Sequence, residues 1–302
     1  MKSSNTQGKL LTGARQTMLA WVKVIKIFDE LPDAYKSTVS HLLGDIQEFP
    51  YTIFAPPVSG SRSNPAEKLI LWFDETLYIL EEKEQKIELI GYPNKMMGHL
   101  EVGNVLLYSW IGVSGITTAG EVAASTITYN AATHRHIQPF IEKVRFLPAK
   151  KDKVKSKGQE FDYLAPLDFK FFNFARTSLK GKEKVITSVW QPEISYSVFP
   201  LFKQAFKRLI TPAHLTILTD QEIIFIEDDH RSIEMRGKRY GGIWRYIPRN
   251  SILAIDATEK KDNLLNLSVR VKPDTSIERV FGGDARQQAM QLKNELENGV
   301  EI

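Results

Sequence analysis

A twelve-residue segment that recurs 146 positions further on limits the fold of this chain more than any other feature. Leu71-Trp-Phe-Asp-Glu-Thr-Leu-Tyr-Ile-Leu-Glu-Glu82 lies without a gap over Ile217-Leu-Thr-Asp-Gln-Glu-Ile-Ile-Phe-Ile-Glu-Asp228, with Asp74 over Asp220. Each copy is two short apolar runs broken by a polar pair, the pattern of a β-hairpin with its turn at the aspartate. Two more segments match in the same order. With one residue of slip, Leu100-Glu-Val-Gly-Asn-Val105 lies over Ile247-Pro-Arg-Asn-Ser-Ile252, and the helical spacing of Ala132 to Phe146 corresponds to Asp284 to Glu297. Three matches in one order predict an internal duplication, each unit ending in strands and a single helix. A chain of 302 residues has room for two cores of ordinary domain size.

Charge marks the boundary between the units. Lys150, Lys151, Lys153, Lys155 and Lys157 stand against Asp152 alone and account for the whole net charge of +4; elsewhere basic and acidic residues balance at 35 each. So polar a run cannot be packed into a core, and residues 148–160 read as a linker. Ahead of the first unit, Met18, Trp21, Val22, Ile25 and Phe28 recur mostly at spacings of three and four. After Leu31-Pro32-Asp33 a second helical pattern runs through Tyr35, Val39, Leu42, Leu43 and Ile46. The expected division is a helical hairpin in 1–47, a first β unit in 48–147, the linker, and a second β unit in 161–302.

In the first unit strands are expected at 50–54, 68–73, 76–80, 98–102, 105–111, 114–118 and 125–129. A helix follows over 132–146, in which Pro139 marks a kink or the true start. In the second unit 161–174 reads as an aromatic docking arm and 198–210 as an amphipathic helix. Strands are expected at 185–191, 214–219, 222–227, 243–248, 252–257, 264–271 and 276–281. The last helix, 284–296, has Asp284 as its expected N-cap and Leu292 and Leu296 on its apolar face.

The hairpin Leu215 to Ile226, the segment Ile247-Pro-Arg-Asn-Ser-Ile-Leu-Ala-Ile255 and the terminal helix together resemble bacterial pleckstrin-homology-like (PH-like) domains. The resemblance covers roughly 110 residues of the second unit and is weaker in the first. It implies, for each unit, about seven antiparallel strands in two near-orthogonal layers with the C-terminal helix plugging one open end. The expected fold class is thus mainly β with capping helices: two tandem PH-like sandwich or barrel units after an N-terminal helical hairpin. Two departures stand out, the inserted helix 198–210 and the Pro/Ser/Gly loop 56–65 at the equivalent place in the first unit.

Several chemistries are excluded. The chain has no cysteine, hence no disulfide, thiolate metal site or cysteine nucleophile. Gly112, Gly115 and Gly120 are too irregularly spaced for a phosphate loop. His134 and His136 diverge on a helix, Asp228-Asp229-His230 reads as a turn, and Ser59-Gly-Ser61 and Ser114-Gly115 lack a nucleophile elbow. No catalytic residue, metal or cofactor is expected, and the chain reads as a non-enzyme, with a site assembled between the units as the alternative.

Without a secretory signal or a run of roughly 18 apolar residues, a cytoplasmic protein is expected. Its expected partner is a protein or peptide, held at a sheet edge or an open barrel end; nucleic acid is not expected, because the basic excess sits in the linker. The alternative is an anionic membrane surface, which would place the protein at the inner membrane face. Phe199, Phe202 and Phe206 would then enter the interface, with Lys203, Lys207, Arg208 and the linker lysines 150, 151, 153, 155 and 157 on the headgroups. The plainer reading of the same residues is a helix covering the second unit and a solvated linker.

Overall fold

The computed structural model describes residues 21–57, 66–145, 159–179, 183–197, 207–229 and 241–299. The first half carries β1 (Lys23–Ile25), α1 (Asp33–Leu43), β2 (Tyr51–Ala55), β3 (Lys68–Phe73), β4 (Thr76–Lys83), β5 (Lys86–Pro93), β6 (Met97–Val105), β7 (Tyr108–Ile116), β8 (Val122–Asn130) and α2 (His134–Val144). The second carries α3 (Phe169–Ser178), β9 (Val185–Gln191), β10 (Ile194–Ser197), β11 (Lys207–Thr211), β12 (His214–Thr219), β13 (Glu222–Glu227), β14 (Gly242–Pro248), β15 (Ile252–Lys260), β16 (Leu264–Val271), β17 (Thr275–Phe281) and α4 (Asp284–Gly299). The chain is mainly β, built of antiparallel sheets none of which closes into a barrel among the described residues.

The two matched hairpins share a register as well as a sequence. Leu71 pairs with Tyr78 and Trp72 with Leu77; 146 residues on, Ile217 pairs with Ile224 and Leu218 with Ile223. In β3–β4 the turn residues Asp74 and Glu75 sit at φ +46° and +52°, the paired left-handed conformation of a type I′ turn. The next correspondence lies elsewhere than the slipped alignment put it. The Asn94 amide donates to Glu75 O at 2.9 Å, and the Arg249 amide donates to Gln221 O at 3.0 Å. These equivalent bonds place Tyr92-Pro93-Asn94 over Ile247-Pro248-Arg249. Both prolines end a strand and open a one-turn 3₁₀ segment, whereas Leu100–Val105 lies inside β6.

β6 and β14 pair antiparallel from Leu100↔Tyr246 to Asn104↔Gly242, and so fuse strands of both halves into one seven-stranded sheet, β8-β7-β6-β14-β13-β12-β9. One face of it, through Ile111, Val113, Leu100, Tyr246, Ile224, Ile226, Leu215 and Ile217, belongs to a single core. That core is closed by α2, by strands of the five-stranded sheet β1-β2-β3-β4-β5, and by the 159–178 segment, whose Phe161, Leu164, Phe171 and Ala175 are buried. The opposite face, through Leu218, Ile223, Phe225 and Ile247, packs with β15-β16-β17 and the Ala285, Ala289, Leu292, Leu296 stripe of α4 in a second core. β12 and β13 are covered on both sides, so both are buried almost throughout, and β13 carries the unbroken apolar run Ile223-Ile-Phe-Ile226. A third core lies between α1 and the outer face of β3 and β4.

Several expectations need correction. Of the N-terminal helical hairpin only α1 is helical within the described residues: 23–25 is a strand paired with β2, and 28–30 is a 3₁₀ turn. The β-branched Val22, Val24 and Ile25 favour the extended chain once β2 offers a partner. The expected helix 198–210 fails at its end, because Lys207–Thr211 is β11, hydrogen-bonded to β10; residues 198–206 lie outside the described set. The expected strands 105–111 and 114–118 are one strand, β7, after a turn at the exposed Leu106 and Leu107. Strand β5 was not foreseen at all. In α2, Pro139 lies inside the helix instead of starting it, and Gly283, at φ +55°, precedes α4, leaving Asp284 as its first residue.

Candidate binding groove

Past the end of β9 the chain turns at Pro192-Glu193 into β10, and the start of α4 lies opposite, behind Gly282 and Gly283. A groove of about 680 Å³ opens there. Its wall carries Trp190, Pro192 and Ile194 from the β9–β10 corner, Leu264 from β16, Ala285 from α4, and Tyr163 and Leu167 from the segment before α3. The corner is fixed by Gln191, whose Oε1 accepts from the Gly282 amide at 2.8 Å while its Nε2 donates to Pro192 O at 2.9 Å. Gly282 packs closely here: a β-carbon there would stand 2.9 Å from the end of the Leu264 side chain and 3.1 Å from that of Ile194, so both would have to shift.

The side chain of Asp168 caps α3 by accepting from the amides of Lys170 and Phe171 at 2.9 and 3.1 Å, which sets the direction of the loop carrying Tyr163 and Leu167. Tyr163 is anchored by a 2.8 Å hydrogen bond between its hydroxyl and that of Ser188 on β9; burial pushes the Tyr163 phenol up, so it stays neutral. The apolar character continues outward: Leu167 is 57% exposed and Phe169, two residues on, 66%, with the Phe169 and Phe172 rings 5.8 Å apart. The charged side chains on the wall, Glu193 and Asp284, are acidic. Asp284 sits in the first turn of α4, where its carboxylate offsets the positive end of the helix dipole.

The site residues expected from the sequence fall elsewhere. Lys150, Lys151, Lys153, Lys155, Lys157, Phe199, Phe202, Lys203 and Phe206 lie outside the described residues. Lys207 begins β11, and Arg208, exposed, pairs with Tyr196 across the β10–β11 hairpin. Trp190, Pro192, Tyr163 and Leu167 carried no motif. The one signal for them was the aromatic run 161–174, read as a docking arm but not as a wall.

The discounted clusters have structural partners. His134 Nδ1 bonds the Tyr129 hydroxyl at 2.8 Å and its Nε2 bonds Gln138 at 3.1 Å. Asp228 pairs with Lys170 of α3. Among the described residues no group of three His, Cys, Asp or Glu side chains is placed to hold a metal, and no helix is long and apolar enough to cross a membrane.

Across the seam between the halves runs a charge ladder. Trp110 Nε1 donates to Glu101 at 2.7 Å, Arg245 bridges Glu101 at 2.9 Å and Glu227 at 2.5 Å, and Arg279 reaches Glu227 at 3.2 Å. Burial pushes the Glu227 carboxyl up, but the two guanidinium groups outweigh it and hold the carboxyl below its usual range. Every member lies on β6, β7, β13, β14 or β17, so the ladder fixes the register of the seam.

Compared with known proteins, the chain matches no family model and no curated sequence.

Proposed function

We propose that the chain is a non-catalytic binding or scaffolding module of two PH-like units, which holds an apolar peptide segment of a partner protein in the groove at the end of β9. The observation that carries the reading is the groove itself: a concave, aromatic-walled surface continuous with the exposed Leu167 and Phe169. The order of elements supports the PH-like part. Four antiparallel strands (β2 to β5), three more (β6 to β8) and a helix are followed by four (β9, β12, β13, β14), three (β15 to β17) and a helix. In this reading the β10–β11 hairpin is the insertion that builds the groove on the second unit.

The test is a displayed peptide library panned on the full chain and counter-panned on Leu167→Arg. Leu167 is largely exposed, so its replacement leaves the fold intact and spoils only the groove. Apolar peptides should be enriched by the wild type and lose at least about tenfold in affinity on the variant. Equal enrichment on both would remove the groove from the function. Sedimentation with anionic vesicles over a salt series tests the membrane alternative; binding that the Leu167→Arg change leaves untouched would favour it.

A further inference from the structure

Each of the four sheets ends in two edge strands, and all of these but one are guarded among the described residues. An open edge offers its backbone amides and carbonyls to any strand that meets it, and proteins blunt it with charge, proline, a bulge, brevity or a cover. β1 and β10 have only three and four residues. β5 carries Lys86, Glu88 and Pro93, β11 Lys207 and Arg208, β15 Asp256, Glu259 and Lys260, and β17 Glu278 and Arg279. β9 is bulged where Val185 meets Thr219, and α4 packs against it.

β8 is the exception. Val122-Ala-Ala-Ser-Thr-Ile-Thr-Tyr-Asn130 is nine residues long with no charge and no proline, and it pairs with β7 from Ile116↔Val122 to Tyr108↔Asn130 without a bulge. No described strand pairs with its outer edge. Its side chains alternate: Ile127 and Tyr129 belong to the core, while Val122, Ala124 and Thr126 are exposed.

The chemistry of the strand selects its partner. Laid antiparallel on its own copy about a two-fold axis, β8 sets Thr126 opposite Thr126, Ala124 opposite Thr128 and Val122 opposite Asn130, and no like charges meet. The exposed apolar residues obey the same symmetry. Val122, 69% exposed, stands at one end of β8; the exposed Leu106 and Leu107 stand at the other, where Leu107 O accepts from the Ala131 amide at 2.9 Å. Antiparallel pairing carries the Val122 of each copy to the end at which the two leucines of the other lie.

We propose that β8 is the interface of a two-fold homodimer, in which two seven-stranded sheets join edge to edge into one of fourteen strands. β9 is the opposite edge of each sheet, so the pairing leaves both peptide grooves open at the far ends and lets one dimer engage two peptide segments. The interface stands whether or not the groove binds peptide.

Sedimentation velocity of the full chain from about 1 to 100 μM tests the assembly. The wild type should reach twice the chain mass within that range. Thr126→Glu, which sets two carboxylates about 5 Å apart, should dissociate at least about tenfold more readily. An equimolar mixture of Thr126→Glu and Thr126→Lys should dimerise again, a rescue that a folding defect in either chain would not give. Because the chain has no cysteine, Thr126→Cys gives a separate reading: on mild oxidation it should form a disulfide-linked dimer far faster than Asp33→Cys, placed at the exposed start of α1. A wild type that is still monomeric at about 100 μM overturns the proposal. A dimer that Thr126→Glu leaves as tight as before overturns it too, as does oxidation of Thr126→Cys no faster than that of Asp33→Cys.

Discussion

Acidification should destabilise this protein, and one histidine, His214, should account for a large part of the loss. His214 is 0% exposed in β12; its Nδ1 lies 3.0 Å from Pro212 O, to which it donates, its Nε2 is buried with no hydrogen-bond partner, and its ring meets the edge of Phe281 at 5.0 Å. Burial, and then the Arg279 guanidinium, push its pKa down to about 4. In the unfolded chain the imidazole takes a proton at about pH 6.5. The folded state therefore binds fewer protons than the unfolded state between those values, and stability falls as the pH drops through that window. Above it the native state keeps its full stability, and below about 4 this residue costs nothing further. The loss amounts to about 2 kcal/mol at pH 5 and about 3 kcal/mol at pH 4, relative to neutral pH.

Urea unfolding of the wild type and His214→Leu at about pH 7, 6 and 5 measures it. Leucine keeps most of the volume and removes the titration, so the two curves should diverge as the pH falls, the variant losing less. Glu227, also held ionised, loses its stabilising charge at lower pH, and His214 is the smallest of the effects that hold it so. Parallel pH dependences in wild type and variant would refute the reasoning.

A β-carbon at Gly98 would stand 1.7 Å from Lys272 O, so Gly98→Ala should drive the β16–β17 turn off β6 and cost about 1–3 kcal/mol in urea unfolding; an unchanged midpoint would show that this contact gives way freely. Arg145→Met removes the cation that Glu183 and Glu222 share in a buried site and should cost about 3–5 kcal/mol; a loss below about 1 kcal/mol by the same measurement would mean that the carboxylates are satisfied without it.

The parts of the fold legible in the sequence are those in which local pattern and tertiary partner agree. The hairpins at Asp74 and Asp220 are such a case, since turn, alternation and register coincide, and so is α4, whose Leu292 and Leu296 are both 0% exposed. Apolar residues at the two ends of a six-residue segment are too common to fix an alignment, which is why Leu100–Val105 was set against the wrong partner. The proline after Tyr92 and after Ile247 was the better marker, because a proline there ends one strand and starts a tight turn in both halves. β1 has only three residues, and its apolar spacing fits a helix as well as a strand until β2 is in place beside it. β5 is half-exposed and charged, with Leu89 on the surface, and so lacks the apolar run by which the other strands announce themselves. The groove was illegible for a different reason. Tyr163, Trp190, Leu264 and Ala285 are brought together by four separate elements, and no spacing along the chain encodes that meeting.

The ladder between β6 and β14 also imposes an order in time. Leu100 to Asn104 leave the ribosome long before Gly242 to Tyr246, and until those residues arrive β6 is an open strand edge. Long-range pairing of this kind is slow to form, and an edge left waiting will pair with whatever strand it meets. A nascent or truncated chain ending before β14 is therefore exposed to self-association along β6, and a strand made late protects one made early.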